Sequence, residues 1–113
     1  MDEKRRYRVH AEVFGALANP VRHEIFHRIA ERPRTVSELA DLCAVTRPNV
    51  SQHLAVLARR GLAVRRRAAG RTEWSAGDPR LAGACTLVDD IMSERLHETL
   101  ASLDRTEASH GTQ

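Results

Sequence analysis

The chain is 113 residues long, 42% hydrophobic and 29% charged, with a formal net charge of +3 and two cysteines. That length fits one domain with a modest core, and no apolar run approaches the ~20 residues of a membrane-spanning helix. Cys43 and Cys85 are too few for a disulfide framework, and the polar start Met1 to Arg6 has no hydrophobic stretch behind it, so a soluble protein of a reduced, cytoplasmic compartment is expected.

In chain order, Val9, Val13 and Leu17 recur at helical spacing and predict a first helix. Asn19-Pro20 opens a second, because an Asn side chain can cap it and the missing N–H of proline costs nothing at the first helical position. Val21, Ile25 and Ile29 form its apolar face. Thr35-Val36-Ser37-Glu38 reads as a capping box for a third helix carrying Val36, Leu39 and Leu42. After a short turn, Cys43-Ala44-Val45, Thr46 caps a fourth helix with Val50, Leu54 and Leu57 inward, ended by Gly61 in a Schellman turn in which Leu62 meets Leu57.

From Leu62 the period becomes two: Leu62 and Val64 alternate with Ala63 and Arg65, Ala69-Gly70 turns the chain, and Thr72, Trp74 and Ala76 share a face of the returning strand. Asp78-Pro79 then opens a long last helix with Leu81, Cys85, Val88, Met92, Leu96, Leu100 and Leu103 in three- and four-residue steps. The expected architecture is mainly α with a small β-hairpin, ordered α-α-α-α-β-β-α. A single domain spans residues 1–113, with an ordered core at 9–104 and a flexible tail at 105–113. A two-stranded hairpin is not stable alone in water, so it must lean on the helices.

Charge is unevenly placed along this framework. From Leu42 through Thr72 there are seven arginines and no acid, whereas from Gly77 onward seven acids face three arginines. A basic region of this kind suits a polyanion. On the fourth helix the apolar residues leave Pro48, Asn49, Ser51, Gln52 and Arg59 pointing outward, with Thr46 and Arg47 at its start. Amides can pair with adenine edges, hydroxyls and arginine reach bases or phosphates, and one helix fits a major groove. Arg65, Arg66, Arg67 and Arg71 crowd the hairpin tip, where like charges weaken a hairpin unless phosphates neutralise them. The expected DNA contacts are therefore Thr46, Arg47, Asn49, Ser51, Gln52, Arg65, Arg66, Arg67 and Arg71. The rival is a module binding an acidic protein partner through the same stretch.

Leu17-Ala18-Asn19-Pro20-Val21-Arg22, Ser37-Glu38-Leu39-Ala40, Pro48 to Leu57, Gly61-Leu62-Ala63 and Gly70-Arg71 occur in an order and spacing that resembles the ArsR/SmtB family of bacterial winged helix-turn-helix repressors, over roughly residues 9 to 100. The resemblance implies a homodimer built through the first and last helices, repression at a palindromic operator on the nucleoid, and often release by a metal ion. Val13, Leu17, Leu81, Val88, Met92 and Leu96 are the expected dimer-interface residues. The family's thiolate site falls on Thr35 and Ser37, and its last-helix Asp, His, His, Glu set falls on Asp78, Arg80, Ile91 and Glu94, so neither ligand set is retained.

Asp90, Glu94 and His97, at i, i+4 and i+7 on the last helix, are the alternative ligands for a regulatory nickel or zinc ion. Control through redox chemistry at Cys43 and Cys85, or through a protein co-regulator, is the competing expectation; no cofactor is required for the fold. His23-Glu24-Ile25-Phe26-His27 also satisfies H-E-x-x-H, the zinc-hydrolase pattern, but a chain this short offers neither a third ligand nor a cleft plainly, so no enzyme is expected.

Overall fold

The computed structural model describes residues 2–111, and side chains over residues 2–105. Its elements run α1 (Glu3–Ala16), α2 (Pro20–Glu31), α3 (Val36–Cys43), α4 (Arg47–Arg59), β1 (Ala63–Ala68), β2 (Arg71–Ala76) and α5 (Arg80–Gly111). The chain divides into a body, Met1–Pro79, and a unit that begins at Arg80 and consists of α5.

Helix starts in the body follow from capping chemistry. Asn19 accepts the Arg22 N–H at 3.0 Å, Thr35 the Glu38 N–H at 3.1 Å and Thr46 the Asn49 N–H at 3.3 Å, each satisfying a donor the helix leaves open. At Thr35 the hydroxyl also donates to the Glu38 carboxylate at 3.2 Å. The α4 terminus is a full Schellman motif: Leu62 N–H reaches the Leu57 carbonyl at 2.9 Å, Gly61 N–H reaches Ala58 at 3.0 Å, and Gly61 takes φ 72°. Two starts and stops differ from expectation. α1 begins at Glu3 rather than near Val9, because Asp2 accepts the Arg5 N–H at 2.8 Å and caps it. α3 closes on Ala44 at φ 55° and ψ 46°, a left-handed residue without glycine, held by its N–H on the Ala40 carbonyl.

The core of the body comes from one face of each helix. Ile25, Phe26 and Ile29 of α2, Leu39 of α3, and Val50, Leu54 and Leu57 of α4 are all buried, each large side chain contributing about 1.5–3 kcal/mol by leaving water. Ala16 and Leu17 close it from the end of α1, whereas Leu42 stands exposed. Arg22 ties three helices together, its guanidinium donating to the Ala16 carbonyl and, at 3.4 Å, to the Gly15 carbonyl and His53 Nδ1 of α4.

The strands pair antiparallel from Ala63↔Ala76 to Ala68↔Arg71 around a two-residue loop in which Ala69 (φ 51°) and Gly70 (φ 77°) are both left-handed, the arrangement that matches strand twist. This register corrects the expected phase of β1. Ala63, paired with Ala76 and on the face of Trp74, is the buried residue, while Val64 is 48% exposed. The hairpin leans on the body through Arg34, whose backbone exchanges hydrogen bonds with Trp74 at 2.7 and 2.9 Å and adds a one-residue third strand. Arg34 is itself buried, its side chain donating to the Arg28 carbonyl at 3.2 Å and to Glu31 at 3.4 Å.

α5 is a 32-residue helix, about 48 Å long at 1.5 Å per residue. It carries exposed Leu87, Val88, Ile91, Met92, Leu96, Leu100 and Leu103. Helical backbone continues to Gly111, so the expected tail at 105–113 is helical as far as that residue. Residues 112 and 113, and the side chains beyond Arg105, lie outside the described residues. No helix of the described residues is long and apolar enough to cross a membrane.

Candidate nucleic-acid interface

α4 turns three fully buried residues inward and leaves the remainder of its N-terminal half outside. Thr46, Arg47, Asn49, Ser51 and Gln52 are all exposed, and the helix contains no acidic residue. Its N-terminal amides add a positive end to that face. Thr46 has a structural task as well, since its hydroxyl caps the helix. His53 is half-buried beside this face; a guanidinium only donates, so its Nδ1 accepts from Arg22 and the ring is neutral with its proton on Nε2. Burial, followed by the Arg22 charge, pushes the His53 pKa down from 6.5.

The hairpin separates the four arginines expected to act alike. Arg65, Arg66 and Arg67 are exposed and make no ion pair among the described residues; with Thr72 of β2 they line a shallow hollow on the hairpin. Arg67 donates to the Gly70 carbonyl across the turn at 3.4 Å. Arg71 is instead engaged with Glu73 at 3.2 Å, a shielded acid one residue beyond the acid-free stretch. Its charge is partly spent inside the protein. Register also sorts these side chains, with Arg65 and Arg67 on the Trp74 face and Arg66 opposite Glu73 on the other.

The interface residues expected for a dimer fall into two groups. Leu17 is 8% exposed and belongs to the chain's own core, so it offers no surface to a partner, and Val13 and Leu81 are half-buried. Val88, Met92 and Leu96 are open, and Leu87 and Ile91 widen that stripe beyond the residues picked out by periodicity.

The candidate effector groups separate in the same way. Thr35, at the first of the two α3 positions, uses its hydroxyl to cap the helix. Asp90, Glu94 and His97 are exposed on α5 and do not gather into a three-ligand cluster among the described residues. Burial and the neighbouring Glu24 carboxylate raise the Cys43 thiol from 9.0 to about 11, which keeps it protonated and unreactive. Burial, with Asp89 as a further cause, also raises Cys85. Glu24, which would be the water activator of the H-E-x-x-H pattern, is instead paired with Arg28 at 3.2 Å.

Comparison with known proteins places the chain. Residues 17–67 match a family model described as a helix-turn-helix domain. The HTH-type transcriptional regulator Rv0081 of Mycobacterium tuberculosis, itself uncharacterized, is 30% identical over 105 residues, 92% of each chain. Its crystal structure superposes with a TM-score of 0.73, covering 83% of this chain and 95% of that one. The homodimeric winged helix-turn-helix DNA-binding domain of Mb0332 from Mycobacterium bovis, titled a possible ArsR-family regulator, is 26% identical with a TM-score of 0.72 over 85% of this chain and 91% of that one. The M. tuberculosis repressor SmtB is 38% identical over 71 residues, 63% of this chain and 53% of its own. These relatives are regulators and not enzymes, and the chain is a DNA-binding transcriptional regulator that belongs to the winged helix-turn-helix proteins of the ArsR/SmtB type.

Proposed function

We propose that this protein is a homodimeric repressor of the bacterial cytoplasm that holds a palindromic operator between two copies of α4 and two hairpin tips. The observation that carries the reading is that Arg47, Asn49, Ser51 and Gln52 on α4 and Arg65, Arg66 and Arg67 on β1 are all exposed, without an acid on either segment. Asn49, Ser51 and Gln52 read base edges in the major groove; Arg47, Arg65, Arg66 and Arg67 neutralise phosphates. Arg71 contributes less, because Glu73 already balances it. The exposed stripe of α5 from Leu87 to Leu103 supports a second copy as its cover, in keeping with the homodimeric Mb0332 domain. Two-fold symmetry then spaces the recognition helices by one turn of DNA, about 34 Å. Repression follows the naming of SmtB.

The test is binding to the protein's own upstream DNA and to random duplex across a salt series. Gln52→Ala is expected to weaken the operator complex by about 1–3 kcal/mol and to leave random DNA nearly unchanged. Arg67→Ala is expected to weaken both and to lower the salt slope by about 1. Equal losses on both duplexes for Gln52→Ala, or a monomer at working concentration, would remove this reading.

A further inference from the structure

The H-E-x-x-H segment of α2 is left unexplained by DNA binding, and with Glu24 committed to Arg28 it is not a catalytic device. Its two histidines are arranged nonetheless. They sit one helical turn apart, with rings stacked at 4.9 Å and an interplanar angle of 24°, and their ligand nitrogens lie within 4.8 Å of each other. His23 Nδ1 stands 3.0 Å from the Leu17 carbonyl oxygen. A carbonyl only accepts, so the proton is on Nδ1 and the lone pair is on Nε2. A hydrogen bond from the distal N–H to a carbonyl is the usual support of a metal-binding imidazole, because it fixes both tautomer and ring orientation. Phe26, fully buried, meets the His27 ring edge-on at 5.8 Å and 87°, which restrains the second imidazole. α2 itself is held by Ile25, Phe26 and Ile29, so the pair rests on a rigid element.

We infer that His23 and His27 form a two-imidazole site for a borderline divalent ion, of the zinc, nickel or cobalt class, on the flank of α2. Two imidazoles at i and i+4 chelate such an ion, which accepts neutral nitrogen readily, and they supply two of its four or more ligands. The surrounding cations are already engaged and do not compete for the imidazoles: Arg22 donates to the Gly15 and Ala16 carbonyls, and Arg28 pairs with Glu24. The nickel or zinc expected on the Asp90, Glu94 and His97 side chains of α5 thus finds its better-organised ligands on α2.

Cobalt(II) titration of the full-length chain, read by visible d–d absorption, tests this. His23→Gln and His27→Gln are each expected to weaken uptake at least tenfold, while His97→Ala changes it less than twofold. Imidazole NMR of the unmodified chain needs no substitution: zinc must shift the ring resonances of His23 and His27 and leave His97 in place. Uptake that survives both glutamine variants, uptake abolished by His97→Ala, zinc shifts absent from the α2 histidines, or no uptake at all would overturn the inference.

Discussion

α4 and the β1–β2 hairpin both present basic surface, yet they are built in opposite ways. α4 is fixed from behind by three fully buried side chains and by the Arg22 contact to His53, so its outer residues are held on a rigid rod. The hairpin has both faces at least partly open along most of β1, with Val64 in solvent, and is attached to the body by Ala63, Trp74 and the Arg34 bridge. Base reading needs side chains held to a fraction of an ångström, whereas a phosphate accepts charge from many directions. The rigid element therefore suits specificity and the looser one suits affinity.

The contrast is most strongly exposed by Leu54→Ala against Val64→Ala. The first is expected to cost about 2–5 kcal/mol in chemical denaturation, because it opens a cavity at a fully buried site, and the second less than about 0.5 kcal/mol. Comparable losses would mean that the hairpin is as much core as α4.

Gly77 gives the next effect. A Cβ at this position would fall on the Gly61 carbonyl oxygen, where β2 exits past the Schellman turn. Gly77→Ala should destabilise by about 1–3 kcal/mol, since backbone must shift to relieve the overlap; a variant as stable as the parent would show that this crossing is slack.

Ala69 offers an effect of opposite sign. An alanine at φ 51° carries the left-handed penalty, so Ala69→Asn should stabilise the hairpin by about 0.5–1 kcal/mol and leave α4 untouched. Amide exchange on β1 and β2 would register it, and unchanged protection there would count against a type I′ loop.

The smallest effect concerns pH and belongs to α4 alone. His53 has a lowered pKa in the folded protein, so protonation favours the unfolded chain: its contribution is present above 6.5 and is lost as pH falls through the folded value. Stability should drop between about pH 7 and pH 5 by more in the parent than in His53→Gln. Identical drops would place the acid sensitivity elsewhere.

Much of this was legible in the sequence because the signals were local. The caps at Asn19, Thr35 and Thr46 and the Gly61 stop act within a few residues, and the inward faces of α2 and α4 follow from spacing alone. What escaped depends on distant partners or on a neighbour of no special type. The phase of β1 was misread because Leu62, which belongs to the Schellman turn, looked like the first residue of an alternating strand, and only the Ala63↔Ala76 register corrects it. Arg34 carries no local signal of its role, since its pairing with Trp74 spans 40 positions. Leu17 looked like interface because periodicity does not distinguish a helix's own core from its partner's. At the site, exposure of Asn49, Ser51 and Gln52 was foreseeable, while the neutralisation of Arg71 by Glu73 was not, because the acid lies just past the stretch that drew attention.

The Arg34 bridge also bears on behaviour away from DNA. By closing part of the outer edge of β2, it leaves β1 as the longer open edge, where unpaired amides invite strand addition by another molecule. Three consecutive arginines occupy that edge, and two such edges would repel each other on approach. The positive charge of that strand would thus also keep the protein dispersed when no duplex is bound.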